Sequence, residues 1–423
     1  MYGCSASVTV MRSLRHLWAS VLIILALAAC APTAIKPDLA ATTPAPLLIL
    51  VSIDGFRADY LDRGVTPNLS HLAQEGVHGV VRPSFPSKTF PNHYTLVTGQ
   101  RPDRHGIIDN NMLDPEIPGV KFALSNKAAV ADARWWDDGT PIWVSAERAG
   151  IRTATMFWPG SEAAIHGVRP SQWLPFNQAL SATARVDQVL AWLDAPPEQR
   201  PRFVTLYFDE VDTAGHWSGP DSPELTEMLR RTDAAIGRLT ERLAARGLTA
   251  NLIVTADHGM APISQERVIY VDDILPKDAG QSVAMGAFMS YYPAAGREAE
   301  VEAALITPHE HMTCWRRGEI PARYHFGAHR RVAPIFCLSQ TGWEITTHEW
   351  VAKRPIRGGD HGFDPAAPEM AAVFIGHGPG FRRGVVTPTT DNVDVYTVLT
   401  DLLGVKPEPN DGGRVLADAA LAR

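Results

Sequence analysis

"LLILVSIDG", Leu47 to Gly55, is the stretch on which the fold turns. Its apolar run, broken only by Ser52, stops at Asp54. A continuous apolar run of this length fits a strand buried on both faces, as in a parallel sheet. Three other stretches repeat the pattern. Phe203–Phe208 runs towards Asp212, residues 252–256 end at Asp257-His258, and residues 371–375 end at Gly376.

Between these runs lie helical patterns. Thr140-Pro141 opens one that stops at Gly150, with cap and first-turn proline in their usual places. Ser222-Pro223 opens a longer one to Gly247, with Leu225, Leu229, Ile236, Leu239 and Leu243 at helical spacing. Alternating strands and helices predict a layered α/β fold. In such sheets, ligands bind beyond the carboxyl ends of the strands. Asp54, Asp257 and His258 follow strands and belong there, and Asp212 can join them. Residues 262–349 read differently, with short segments, many arginines and aromatics, and two cysteines. They are expected to form an insertion or cap within the same domain.

The chain has 423 residues, 45% hydrophobic and 20% charged, with net charge −7. That suits a large soluble α/β body. Without a long basic stretch or a basic-aromatic ladder, a nucleic-acid polymer is a poor candidate partner. The N-terminus reads as a targeting segment: Arg12 and Arg15 precede an apolar run too short to span a bilayer. That run ends in Leu27-Ala28-Ala29-Cys30, which resembles the lipobox of bacterial lipoproteins, where the cysteine is acylated. Ordinary secretory cleavage near Ala29 is the alternative. Either reading exports the protein; the lipoprotein reading places it in the periplasm, anchored to the outer membrane through Cys30. The Ala/Thr/Pro-rich residues after Cys30 read as a flexible tether. An oxidising compartment would let Cys314 and Cys337 pair, with two reduced, buried thiols as the alternative.

Singly, the candidate site residues carry little weight. Asp54 before Gly55 is the usual composition of a turn. Asp212 and His216 share a helix face at a spacing that also arises by chance. His361 sits in the glycine-rich "GGDHGFD". Together they form a set of Asp and His ligands suited to zinc. Two metals can clamp the attacking and leaving oxygens of a displacement at phosphorus.

"ILVSIDGFRADYL", "RPSFPSKTFPNHYTLVTGQRPDRHGIIDNNMLDP", "MFWPGSEA", "DEVDTAGHWSGP", "VTADHGM" and "GGDHGFD" occur in this order. The set resembles the nucleotide pyrophosphatase/phosphodiesterase family of the alkaline phosphatase superfamily. The resemblance implies an α/β fold with a mixed sheet flanked by helices, two Zn²⁺ ions and a threonine nucleophile. Matched residue by residue, Thr89 is that nucleophile. Asp54, Asp257 and His258 match the ligands of the metal that binds it. Asp212, His216 and His361 match those of the second metal. Asn110, or Asn111 beside it, matches a donor to a phosphoryl oxygen. Phe90 matches an aromatic that packs on a nucleoside base, and Phe176 could face it. A free threonine hydroxyl is a poor nucleophile at neutral pH, and a metal can stabilise its alkoxide. A helix starting beside Thr89, with Pro91 in its first turn, would turn its positive end to the oxyanion. His93 reads as structural and His105 as ordering the next loop.

The expected organisation is a signal peptide at 1–30, a tether at 31–46, a catalytic domain at 47–408 and a C-terminal tail at 409–423. The expected activity is hydrolysis of nucleotide diesters or pyrophosphates to nucleoside monophosphates. The alternatives are a phosphomonoesterase or phospholipid head-group phosphodiesterase of the same superfamily, or an inactive exported binding lipoprotein.

Overall fold

The computed structural model describes residues 46–422. The expected signal peptide with Cys30, and the tether up to residue 45, lie outside the described residues. The opening stretch forms β1 (Leu47–Ile53), buried along its whole length. It stands inside a nine-stranded sheet with β2 (Val77–Arg82), β3 (Thr153–Met156), β4 (Phe203–Phe208), β5 (Ala250–Thr255) and β6 (Ala372–His377). Across the sheet the order is β2, β6, β5, β1, β4, β3, with two-residue strands at the edges.

β5, β1, β4 and β3 are all parallel to one another. β6 runs antiparallel to both its neighbours, β5 and β2, so the sheet is mixed. A mixed sheet is what the family resemblance implies, although residues 371–375 carry the same apolar pattern as the parallel strands. A continuous apolar run reports burial on both faces, and β6 is buried like the others, but burial says nothing of direction.

Five helices matter for the site and its support: α1 (Thr89–Thr98), α2 (Ile142–Arg148), α3 (Glu210–Ser218), α4 (Pro223–Ala245) and α5 (Asp394–Leu403). α4 starts as its sequence says: the Ser222 hydroxyl accepts from the Leu225 N–H at 3.1 Å, and its apolar stripe is buried. α2 starts one residue later than expected. Pro141 has extended backbone, ψ 153°, so it stands before the helix, and Thr140 Oγ1 meets His166 Nε2 at 3.1 Å instead of capping. No helix among the described residues is long and apolar enough to cross a membrane.

Within the stretch 262–349, a separate antiparallel sheet orders its strands Gly280–Ala284, Phe288–Pro293, Ile335–Ser339, Met312–Arg316. Cys314 and Cys337 are register partners in it and are joined by a disulfide. They sit in a small core with Met289, Val301 and Leu305. Ala261–Pro262 pairs with Gly359–Asp360, so the chain leaves and re-enters the body at one short ladder. Beyond residue 408, Leu416 and Ala417 of the short helix Val415–Ala420 join the main core, and the Asp411 N–H donates to the Gly99 carbonyl at 2.8 Å.

Candidate active site

The sheet brings the chemistry to one edge. β1 and β5 end level with each other, Ser52 opposite Thr255, so Asp54 and Asp257 emerge side by side. β4 ends opposite β1, Phe208 against Ile53, and leads straight into α3. There Asp212 and His216 stand one turn apart, on one face. The turn after Asp54 needs a glycine: Gly55 has φ +68°, and a Cβ there would lie 3.1 Å from the Asp212 Cα. The ladder at Gly359–Asp360 delivers His361, and α1 delivers Thr89 at its first residue.

All seven expected metal-site residues converge. Around His258 Nε2 lie Asp257 Oδ2 at 3.0 Å, Thr89 Oγ1 at 3.3 Å and Asp54 Oδ1 at 3.4 Å. Around Asp212 Oδ1 lie His216 Nε2 at 3.5 Å and His361 Nε2 at 3.7 Å. The His258 and His361 rings stack at 3.5 Å, joining the two groups.

The histidines are oriented for metal ligation. His258 Nδ1 meets the Gly259 carbonyl at 2.9 Å, His216 Nδ1 the Gly359 carbonyl at 2.9 Å, and His361 Nδ1 the Ser87 carbonyl at 2.8 Å. A carbonyl only accepts, so each Nδ1 carries the proton and each Nε2 keeps its lone pair for the centre. The carboxylates fit too. Asp54 Oδ1, Asp212 Oδ1 and Asp257 Oδ2 are buried with no hydrogen-bond donor. Buried anionic oxygens without donors are costly unless a cation meets them. The set of Asp, His and threonine oxygen donors fits divalent cations of the zinc kind.

The electrostatics agree. Burial pushes Asp54 well above the usual carboxylate range, and the charges of Asp257 and Asp212 add to it. Burial likewise raises Asp212. Burial also pushes on Asp257, but the His258 and His93 rings outweigh it and hold that carboxyl low. Burial, with His258 and Lys88 nearby, holds His361 well below the usual histidine range, which favours the neutral ligand form.

Asn110 Oδ1 accepts from the Phe90 N–H at 2.9 Å. That bond occupies one of the helix-start donors expected to face an oxyanion, and leaves the Asn110 amide hydrogens as donors instead. Asn111 lies in the short strand Asn111–Leu113. Phe90 and Phe176 line one cavity of about 370 Å³, together with Thr89 and Tyr207. Phe90 is backed by Phe122 and Trp136, each at 5.9 Å. Phe176 is 40% exposed and rests edge-on against Phe157 at 5.3 Å.

His93 is structural, yet close to the site. It is fully buried beneath Thr89, with Nδ1 on the Thr89 carbonyl at 2.9 Å and Nε2 on Ser52 Oγ at 2.8 Å. It also stands 3.3 Å from Asp257 Oδ2. Both ring nitrogens are engaged, so it steadies Asp257 rather than ligating. His105 accepts from the Ile107 N–H at 3.1 Å, which orders the following loop as expected.

Two residues escaped the sequence reading. Lys88 Nζ pairs with Asp360 Oδ1 at 3.2 Å beside the second group. Burial pulls Lys88 down, but Asp360, Asp109 and Glu344 outweigh it and keep the ammonium charged. Asp360 also approaches His216 and His361 closely enough to share an ion with them. Their position next to Thr89 and His361 in the motifs was the available signal.

Comparison with known proteins agrees with this geometry. The model of the type I phosphodiesterase/nucleotide pyrophosphatase family matches residues 48–364. An uncharacterised pyrophosphatase/phosphodiesterase of Schizosaccharomyces pombe is 37% identical over 388 residues, covering 86% of this chain and 78% of that protein. The bis(5'-adenosyl)-triphosphatase of Xenopus laevis is 37% identical over 371 residues, covering 87% and 80%. Among solved structures, murine ectonucleotide pyrophosphatase/phosphodiesterase 5 superposes with TM-score 0.84 at 35% identity, over 89% of this chain and 100% of that one. An inactive form of the same murine protein, in complex with AMP, is equally similar.

Proposed function

The chain belongs to the type I phosphodiesterase/nucleotide pyrophosphatase family and is a hydrolase of that kind; on that premise we propose that Thr89 attacks the phosphorus of nucleotide diesters and pyrophosphates and that a nucleoside monophosphate is released. The observation that carries this reading is Thr89 Oγ1, 3.3 Å from His258 Nε2, set between donorless buried carboxylate oxygens and the mouth of an aromatic cavity.

Asp54, Asp257, His258 and Thr89 would hold one Zn²⁺, and Asp212, His216 and His361 a second. When bound, the ions supply the positive charge that lets a hydroxyl ionise near neutral pH and that offsets charge on the leaving oxygen. Charge balance supports the set. Two Zn²⁺ bring four positive charges, three aspartates and a Thr89 alkoxide bring four negative ones, and a diester adds a single negative charge.

The Thr89 hydroxyl gives up its proton to solvent and its oxygen bonds to phosphorus. The bond from phosphorus to the leaving oxygen breaks in line. Water then cleaves the nucleotidyl-threonine and restores the hydroxyl. Asn110, its carbonyl already held by Phe90, donates its amide hydrogens to a phosphoryl oxygen. Phe90 and Phe176 flank the base; stacking accepts any base, because every base has a π-face. The AMP complex of the murine relative supports a nucleotide in this cavity.

We place the enzyme in the periplasm, tied to the outer membrane by acylated Cys30, as the Leu27-Ala28-Ala29-Cys30 stretch suggests. Mass spectrometry showing an unmodified N-terminus beyond Cys30 would remove the anchor without touching the catalytic reading. The catalytic reading is tested with a chromogenic nucleotide diester against the matching monoester, with and without chelator. Diester hydrolysis that chelation stops and added zinc restores is expected. Equal kcat/KM for both esters, or turnover indifferent to chelation, would overturn it.

A further inference from the structure

A second cavity, of about 700 Å³, meets the aromatic one at the metal centre: Asp212 lines both, and His216 lines the larger. The aromatic cavity suits the nucleoside that stays on Thr89. The larger one therefore faces the group that departs, on the side of His216.

Its floor carries acidic residues but little free negative charge. Asp360 is paired with Lys88 at 3.2 Å. Burial pushes Asp109 up to about 7 and Glu344 well above the usual carboxylate range. Its walls carry three cations from two segments: Lys121 of the short strand Lys121–Ala123, and Arg354 and Arg357 after the helix His348–Lys353. Lys121 Nζ donates to the Val283 carbonyl at 3.3 Å. The Arg354 guanidinium lies 4.7 Å over the ring of Trp217. Among the described residues, none of the three makes a salt bridge with a carboxylate.

Trp217 and Arg354 line the same cavity as His216 of the second group of ligands. This contact takes up the ring face of Trp217 and, among the described residues, no carboxylate or carbonyl accepts from the Arg354 guanidinium, so its N–H donors are free. A planar fork with free edges matches the paired oxygens of a phosphate. A lysine point charge and a second arginine, also without carboxylate partners, complete a wall suited to several phosphate charges.

Resting on the reading of the reaction given above, we infer that this cavity is a leaving-group subsite for phosphate, in which Lys121, Arg354 and Arg357 bind the departing phosphate chain. The enzyme then favours phosphoanhydrides, whose leaving group is itself a phosphate, over esters whose leaving group carries no phosphate.

The test compares ATP with the p-nitrophenyl ester of AMP, which share the retained nucleotide and differ in the leaving group. The ratio of kcat/KM, ATP over ester, is measured for the zinc-loaded protein, for R354A/R357A and for K121A. The ratio is expected to fall at least fivefold in the double variant and to fall also in K121A. Turnover of the ester reports that each variant is folded. Calorimetric titration of the zinc-loaded protein with inorganic pyrophosphate supplies a readout that needs no turnover: binding to R354A/R357A is expected to weaken at least fivefold. A smaller change in the ratio, or unchanged pyrophosphate affinity, overturns the inference. If the unaltered protein hydrolyses neither compound, the parent reading fails, and the pyrophosphate titration still decides this one.

Discussion

Replacing Asp54 by Asn should have opposite effects on the metal-free and metal-loaded protein. Asp54 is 1% exposed, and its Oδ1 has no hydrogen-bond donor. Its carboxylate oxygen lies within 4.8 Å of one on Asp257. Two unit charges at that distance repel by about 3 kcal/mol at an effective dielectric of about 20. Part of this is already relieved, because Asp54 is pushed well above its ordinary pKa, and His258 lies between the two carboxylates. Asparagine removes the repulsion and can keep the bond from Tyr207 Oη, now 2.6 Å long, on its amide oxygen. The metal-free variant should therefore be more stable by roughly 1–3 kcal/mol, a rise in unfolding midpoint on the order of 1–4 °C. With saturating zinc the order should invert. A hundredfold loss of metal affinity removes about 2.7 kcal/mol of ligand stabilisation. The sign with pH follows from the raised pKa of Asp54. The folded metal-free protein loses stability as pH rises from the ordinary carboxylate range through that raised value. The gain from Asp54→Asn should grow over the same window and vanish below it. Thermal unfolding with chelator and with zinc, across that range, measures all of this. A metal-free Asp54→Asn protein less stable than the unaltered one at neutral pH would refute the reasoning, since Asp54 would then be an ordinary buried polar group.

Three further outcomes follow from the same site and its surroundings. Thr89→Ala should lose about five or six orders of magnitude in kcat, as loss of a nucleophile does, while metal analysis still finds both ions; near-normal turnover would end the assignment. Metal affinity should fall as pH drops through the titration of His258, because Asp257 outweighs burial and raises that histidine, so protons compete early; a flat affinity across that range, followed by competition with a chelating dye, would contradict it. Reduction of Cys314–Cys337, 23 residues apart, should cost about 3 kcal/mol, read as a lower unfolding midpoint; no shift would mean that the small sheet is held by its core alone.

Much of the site was legible because its residues sit at places the sequence marks. Asp54 and Asp257 end apolar runs, and Asp212 and His216 stand four apart, which a helix turns into one face. What was not legible depends on pairing across long stretches of chain. Lys88 and Asp360 are 272 residues apart and meet only because the ladder at Gly359–Asp360 folds against α1. The Phe90 N–H looked free at a helix start, and only the tertiary fold shows Asn110 accepting from it. His93 was read as a packed core histidine. It is one, but its packing sets it against Asp257, which helical position alone cannot reveal. The direction of β6 was not legible in its own residues, because apolar continuity is blind to polarity of the strand.

The placement of β6 has a consequence for how the chain can become a protein at all. β2 forms early in the sequence, yet each of its strand neighbours, β6 with Val385–Val386 and Thr390–Asp391, comes after residue 371. Until those residues are available, β2 has no strand to pair with, and the β5 edge stays open as well. The sheet therefore cannot close until nearly the whole chain is present. A chain cut at residue 364, where the family match ends, would keep all seven candidate ligands and still leave β2 unpaired. The chemistry is encoded before residue 364, but the last 59 of the 423 residues decide whether it is ever assembled.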